Sequence, residues 1–250
     1  MAEAAPAVAK EQLGSTCRRD AWWLAPVAVA VGLLAIIGYL TWAAFQGNHY
    51  EFGNYLSPVY SPPIHPSWWP LSPAFLVLIP PALFRSTCYY YRKAYYRSFF
   101  LDPLACGVGE SHRGRYTGET KFPFVLQNLH RFAFYLAFVW LFFLWHDVWK
   151  ALWFDGRFGI GLGTVMILAS TGTLTLYTLS CHSWRHLVGG KLDCFSCSAS
   201  ARTRHGLWQR MTTLNGHHMG FAWISLFAVA FADLYVRLLS MGILHDVRIL

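Results

Sequence analysis

The chain has 250 residues, of which 55% are hydrophobic and only 13% charged, where an ordinary soluble domain carries about 25% charged residues. With a mean hydropathy of +0.34, that balance excludes a soluble enzyme. The formal charge of +8 is gathered in alternate connections between apolar runs, which excludes a nucleic-acid binder and makes the charge a topology signal.

Residues 1–20, with Lys10 and Gly14, carry no structural pattern and are expected to be a flexible tail; residues 21–250 read as one membrane domain. Five apolar runs follow, at 21–45, 71–84, 132–145, 158–180 and 219–239. A bilayer core of about 30 Å takes about 20 mainly apolar helical residues, and aromatic flanks extend the two short runs. The expected fold is an all-α integral membrane protein with five transmembrane helices. The first run is longer than the apolar part of a signal peptide and lacks a following small-residue cleavage site, so it is expected to stay as a span.

Orientation follows from the basic residues. Lys10, Arg18 and Arg19 precede span one; Arg85, Arg92, Lys93, Arg97, Arg113, Arg115 and Lys121 surround the connection from span two to span three; Arg185, Lys191, Arg202, Arg204 and Arg210 fill that from span four to span five. The other connections are nearly free of positive charge, which puts the N-terminus in the cytoplasm and the C-terminus outside. The prolines of the loop at 47–70 exclude a helix there. Pro80-Pro81 is expected to kink span two, and Gly189-Gly190, within the loop at 187–210, to stop a helix.

Residues able to bind a metal then fall into one layer at the cytoplasmic ends. Cys88 ends span two, His130 lies two to three turns into span three, Cys181, His182 and His186 end span four, and His217 and His218 open span five. His182 and His186 share a helix face, with Cys181 expected about 100° from His182. A single cysteine at a helix end is usually a buried hydrophobe, but ionisable residues converging within a membrane usually mark function. Paired imidazoles suggest b-type haem, and mixed sulfur and imidazole suggest zinc or a Rieske-type [2Fe–2S] cluster. Cys194 and Cys197 form a CxxC motif with no second CxxC, expected to stay reduced in the cytoplasm. Neither they nor Cys106 and His130 are excluded as ligands. Asp233 and Arg237, at i and i+4, are expected to form a buried ion pair.

The strings FRSTCYYYRKAYYRSFF, LQNLHRF, DVWKALWF, CHSWRHLVGG and FADLYVRLLSMGI resemble, from residue 20 to 250, the single-chain, five-helix membrane anchor of succinate dehydrogenase/fumarate reductase, respiratory complex II. The resemblance implies a bacterial inner-membrane subunit with no dicarboxylate site, bound to a flavoprotein and an iron–sulfur protein, surrounded by lipid and using a quinone. It implies a membrane-embedded Rieske-type [2Fe–2S] cluster, with Cys88, Cys181, His182, His186 and His218 as the ligand candidates, more than the four such a cluster takes. Tyr89, His130, Arg131, Trp184 and Arg185 lie at the depth to donate to a quinone, although Arg131 also suits a snorkelling interface arginine. Two alternatives follow from other classes: a haem b anchor, with His130 and His182 or His218 as axial ligands, and a metal-free structural anchor or transporter.

Overall fold

The computed structural model describes residues 12–110 and 118–250. Lys10, Arg113 and Arg115 lie outside the described residues. Among these residues eight α-helices carry the fold: α1 (Leu24–Gln46), α2 (Ala74–Thr87), α3 (Tyr89–Tyr95), α4 (His130–Lys150), α5 (Leu162–Leu179), α6 (His182–Gly189), α7 (Ala199–Gly216) and α8 (His218–Ser240). A π-helical turn at Tyr96–Phe100 extends α3, and a 3-10 turn at Phe124–Leu129 leads into α4. Two short antiparallel hairpins, β1 (Glu51–Phe52) with β2 (Tyr55–Leu56) and β3 (Trp153–Phe154) with β4 (Arg157–Phe158), close loops at one end.

Four segments are long and apolar enough to cross a membrane: α1, Phe124–Lys150, α5 and α8. The fifth expected span, α2, has 14 residues and carries both Pro80 and Pro81 within the helix. The 3-10 turn lengthens the third, so His130 sits well inside that apolar run, as expected. Large side chains such as Leu34, Ile37, Phe132, Phe142 and Phe231 point outward from the bundle. That exterior suits lipid, since a soluble protein rarely tolerates so large an apolar surface.

Inside, small residues let the helices approach. Ala133 and Ala137 mark the packed face of α4, and Ala222, Ser225 and Ala230 that of α8. Gly163, Ser170 and Thr171 do the same on α5, which lies along α8. Close approach replaces the hydrophobic drive that lipid removes. α2 runs antiparallel to α8 and α1 parallel to it: Arg85, at the end of α2, bonds to Ala222 and Ser225 near the start of α8, whereas Arg237, near its end, bonds to Asn48 in the loop after α1. One end of the bundle therefore carries α3, α6, α7 and the basic connections, and the other carries both hairpins.

Two expectations change. Residues 12–20 are not loose: Gly14 and Ser15 exchange backbone hydrogen bonds with Gly109, at 3.0 and 2.8 Å. Arg18 donates to the Cys106 carbonyl at 2.8 Å. The connection at 187–210 is largely helical, because Ser198 caps α7 by accepting from the Ala201 N–H at 3.0 Å, a preferred role for serine. The expected stop at Gly189-Gly190 holds, ending α6 rather than the span itself. The ion pair is present at the hairpin end: Asp233 and Arg237 are 0% and 1% exposed and 3.4 Å apart. Tyr39 donates to Asp233 at 2.6 Å, Ser57 also bonds to it, and the guanidinium lies over the Tyr50 and Trp42 rings.

Candidate metal centre

Two helices break at a cysteine, and the site is built on those breaks. Cys88 is extended (φ −66°, ψ 129°), ends α2 and opens α3. Cys181 is extended in the same way (φ −65°, ψ 142°) and opens α6, one residue beyond the Ser180 that ends α5. Each sulfur thus sits at the start of a short helix, where unpaired N–H groups favour negative charge. Ser183 N–H donates to Cys181 Sγ at 3.4 Å. Both cysteines are buried in one apolar cluster with Phe84, Tyr91, Phe134, Tyr177 and Leu226.

A histidine faces each sulfur. His130 Nε2 lies 3.1 Å from Cys181 Sγ, and His218 Nε2 lies 3.4 Å from Cys88 Sγ. His130, Cys181 and His182 form a group whose ligand atoms all lie within 4.8 Å of one another. Phe84 stacks on the His130 ring at 5.1 Å, and Tyr177 on the His218 ring at 4.9 Å. Four segments of chain therefore bring two thiols and three imidazoles into one buried region.

Hydrogen bonding assigns the proton on two of those imidazoles. Thr87 Oγ1 lies 3.0 Å from His130 Nδ1 and donates its own hydrogen to the Leu83 carbonyl at 2.7 Å. A hydroxyl has one hydrogen, so Thr87 accepts from His130 Nδ1–H, leaving a lone pair on Nε2. Ser180 repeats the arrangement: its Oγ lies 2.7 Å from His218 Nδ1 and donates to the Tyr177 carbonyl at 2.9 Å. Orientation through the far ring nitrogen is the usual device around metal-binding histidines. The pattern is crossed, since Thr87 adjoins Cys88 but orients the histidine facing Cys181, and Ser180 adjoins Cys181 but orients the one facing Cys88.

Burial pushes the Cys181 thiol up to about 11, outweighing the Ser183 N–H that lowers it, and a charge on Cys88 raises it further. Without a metal Cys181 stays a neutral thiol at pH 7. A bound cation would displace that proton, as metal binding to thiols does. Burial likewise lowers the basicity of His182, with His186 adding to the effect, which favours the neutral imidazole.

The other candidates separate from this group. His182 belongs to it but is exposed, its ring stacked on His130 at 5.2 Å and edge-on to Tyr89 at 5.6 Å. Cys181 and His182 both reach His130 because the helix breaks between spans, so the 100° separation expected of a continuous helix does not arise. His186 is exposed, packs beside Gly190 and is outside the group. His217 is exposed and bonds to the Thr213 carbonyl at 3.1 Å. Cys194 and Cys197 are joined in a disulfide with Cα atoms 5.8 Å apart, contrary to the expected reduced pair, and that separation lies within the range a disulfide spans. Cys17 and Cys106 are exposed thiols.

Of the five residues expected to serve a quinone, His130 lies among the candidate metal donors, and depth alone does not give its direction. Tyr89 is exposed at the rim beside His182. Trp184 donates to Met211 at 3.1 Å and stacks on Phe138. Arg185 donates to Thr212 at 2.9 Å and covers Trp208, which commits it to α7. Arg131 is exposed. An apolar cavity of about 530 Å³ opens instead between α1, α2 and α8; Leu33, Leu40 and Leu78 line its walls, and Arg85, Tyr91 and Tyr95 its basic end. Sequence reasoning missed Thr87 and Ser180, although a hydroxyl residue precedes both buried cysteines.

No curated protein matches the chain. A solved structure, the Mycobacterium smegmatis Sdh1 complex in the apo form, contains a chain 40% identical to this one, with a TM-score of 0.84 over 94% of each chain. The sequence model of the family described as actinobacterial succinate dehydrogenase subunit SdhC matches residues 24–242. That match spans most of the 250 residues, and the chain therefore belongs to the actinobacterial SdhC family of succinate dehydrogenase membrane subunits.

Proposed function

We propose that this membrane anchor passes electrons from the iron–sulfur subunit of succinate dehydrogenase to quinone through a metal centre held by Cys88, Cys181, His130 and His218. Membership of the family makes the chain part of an enzyme complex with flavoprotein and iron–sulfur partners, set in a bacterial inner membrane. We read α1, α2 with its continuation, α4, α5 and α8 as five spans of one domain at 21–250, with the N-terminus cytoplasmic and the C-terminus outside. The basic connections lying at one end support that orientation.

The observation that carries the ligand assignment is the crossed pair of hydroxyl bonds. They leave Nε2 of His130 and His218 with lone pairs directed at sulfur. His182 is exposed and lacks such a bond among the described residues, so it is read as a neighbour of the centre. Two sulfurs and two imidazole nitrogens fit a Rieske-type [2Fe–2S] cluster, whose irons take two cysteines and two histidines. When bound, such a group supplies one-electron chemistry at roughly −150 to +300 mV, above the −400 mV or so of plant ferredoxins and suited to a quinone.

The protein's own part is to hold and shield. Cys88 and Cys181 supply sulfur from rigid helix junctions, Thr87 and Ser180 fix the imidazoles, and Phe84 and Tyr177 cover their faces to exclude water. The apolar cavity offers room for a quinone's tail, and Tyr89 stays the proposed donor towards its oxygens, since Trp184 and Arg185 donate to Met211 and Thr212 and Arg131 faces outward. A haem held by His130 and His182 would need those two imidazoles on either side of it; their ring-on-ring packing argues against that pair.

Substitution residue by residue tests the assignment in the purified complex. His130→Ala and His218→Ala should each remove the centre's iron and its EPR signal of low average g, while His182→Ala keeps both. A Soret band that vanished in His130→Ala would replace the cluster with haem, and full iron content in all three variants would end the ligand claim.

A further inference from the structure

Arg85 is a cation inside the bundle whose partners are all neutral. It donates to the Ala222 carbonyl at 3.1 Å, to Ser225 Oγ at 2.9 Å and to the Tyr91 hydroxyl. Tyr91 donates onward to the Ala222 carbonyl at 2.7 Å, and Ser225 to the same carbonyl at 3.2 Å, so both hydroxyls are free to accept from arginine. Among the described residues Arg85 has no carboxylate partner. Its guanidinium carbon lies 4.7 Å from the Tyr177 ring centre, on a ring that stacks on His218 at 4.9 Å.

Tyr177 adds a second observation. It is 1% exposed, and its hydroxyl interacts with the Cys88 side chain and bonds to no oxygen or nitrogen among the described residues. A buried hydroxyl whose partner is only a weakly accepting thiol is poorly satisfied, and a guanidinium without a counter-ion in a membrane is costly. Both costs are offset if the neighbouring cysteine carries negative charge.

We propose that Arg85, acting through Tyr177, is the electrostatic positioning residue of the metal centre: it balances the charge of the Cys88 side and favours the reduced state. The inference rests on the metal-centre reading given above. Other arginines near this end are engaged elsewhere: Arg92 pairs with Glu119 at 2.8 Å, Arg185 covers Trp208 and Arg131 faces outward. A fixed cation lowers the energy of the state carrying one more electron, and the surrounding apolar wall of Phe84, Tyr91 and Leu226 limits screening.

The test is a redox titration of the centre's EPR signal in the purified complex, comparing wild type with Arg85→Gln, Arg85→Lys and Tyr177→Phe. Arg85→Gln should keep its iron and lower the reduced-to-oxidised ratio at fixed potential about tenfold, or 59 mV for one electron. Arg85→Lys should retain most of the wild-type value, and Tyr177→Phe should shift in the same direction as Arg85→Gln. A fully loaded Arg85→Gln complex at the wild-type potential overturns the proposal. If that variant does not assemble, Tyr177→Phe decides, and an unmoved potential there overturns it equally. A wild-type complex with no signal from this chain would overturn the reading of the centre itself, an outcome distinct from an unmoved potential.

Discussion

Replacing Thr87 with valine would remove one oxygen and leave the shape of the side chain almost unchanged. Thr87 and His130 are 2% and 3% exposed, so water has no ready access to the vacated position. The His130 Nδ1–H would lose its 3.0 Å acceptor, and an unsatisfied buried donor costs about 1–3 kcal/mol. The imidazole avoids that cost by shifting its proton to Nε2, which removes the lone pair facing Cys181, or by turning away. Either way affinity for the metal falls by about 10–100-fold, as with other outer-shell changes at metal-binding histidines. Iron per complex after dialysis against a graded chelator, with the EPR signal recorded in parallel, measures the loss. Thr87→Ser keeps an oxygen able to accept and should retain the centre. A Thr87→Val complex that holds iron as tightly as wild type would refute the proton assignment and, with it, the choice of His130.

Two further expectations concern the buried ion pair and the Cys181 thiol. Asp233→Ala leaves Arg237 buried without its charge partner and should destabilise the protein by about 3–5 kcal/mol, whereas Asp233→Ala with Arg237→Met should recover much of the loss; thermal unfolding in detergent compares them, and equal midpoints for wild type and the single variant would refute a role for the pair. In metal-free protein Cys181 holds its proton up to about 11 while the unfolded chain releases it near 9.0, so the folded form binds more protons between those values and loses stability as pH rises through them. Maleimide labelling of Cys181 in the metal-free complex should accordingly be slow at pH 7 and accelerate above pH 9; rapid labelling at neutral pH would contradict the effect of burial.

The long spans were legible because composition alone defines them: α1, α5 and α8 coincide with apolar runs, and Gly189-Gly190 marks a helix end. The cysteine breaks were not, since a residue that leaves a helix at Cys88 or Cys181 looks in sequence like one that continues it. The change of direction there brings Cys181 and His182 to the same neighbour. α7 was missed because its polar and basic residues suit a solvated loop as well as a helix lying across the bundle end, and only the Ser198 cap signals its start. Sequence alone offers His130 both as a quinone donor and as a metal ligand, because depth in the membrane does not say which way a side chain faces. The signal that favours the second is the doublet of a hydroxyl residue and cysteine, Thr87-Cys88 and Ser180-Cys181, repeated at two helix ends.

The four proposed ligands are spread from position 88 to position 218, and His218 opens the last span. During synthesis a chain that has threaded every helix before α8 still lacks one proposed donor, and its Cys88 faces no imidazole from that helix. On the proposed ligand set, complete coordination waits until α8 has entered the bilayer and packed along α5. Loading iron would then act as a checkpoint in biogenesis, marking anchors whose final span is seated and leaving truncated ones without a complete set of donors.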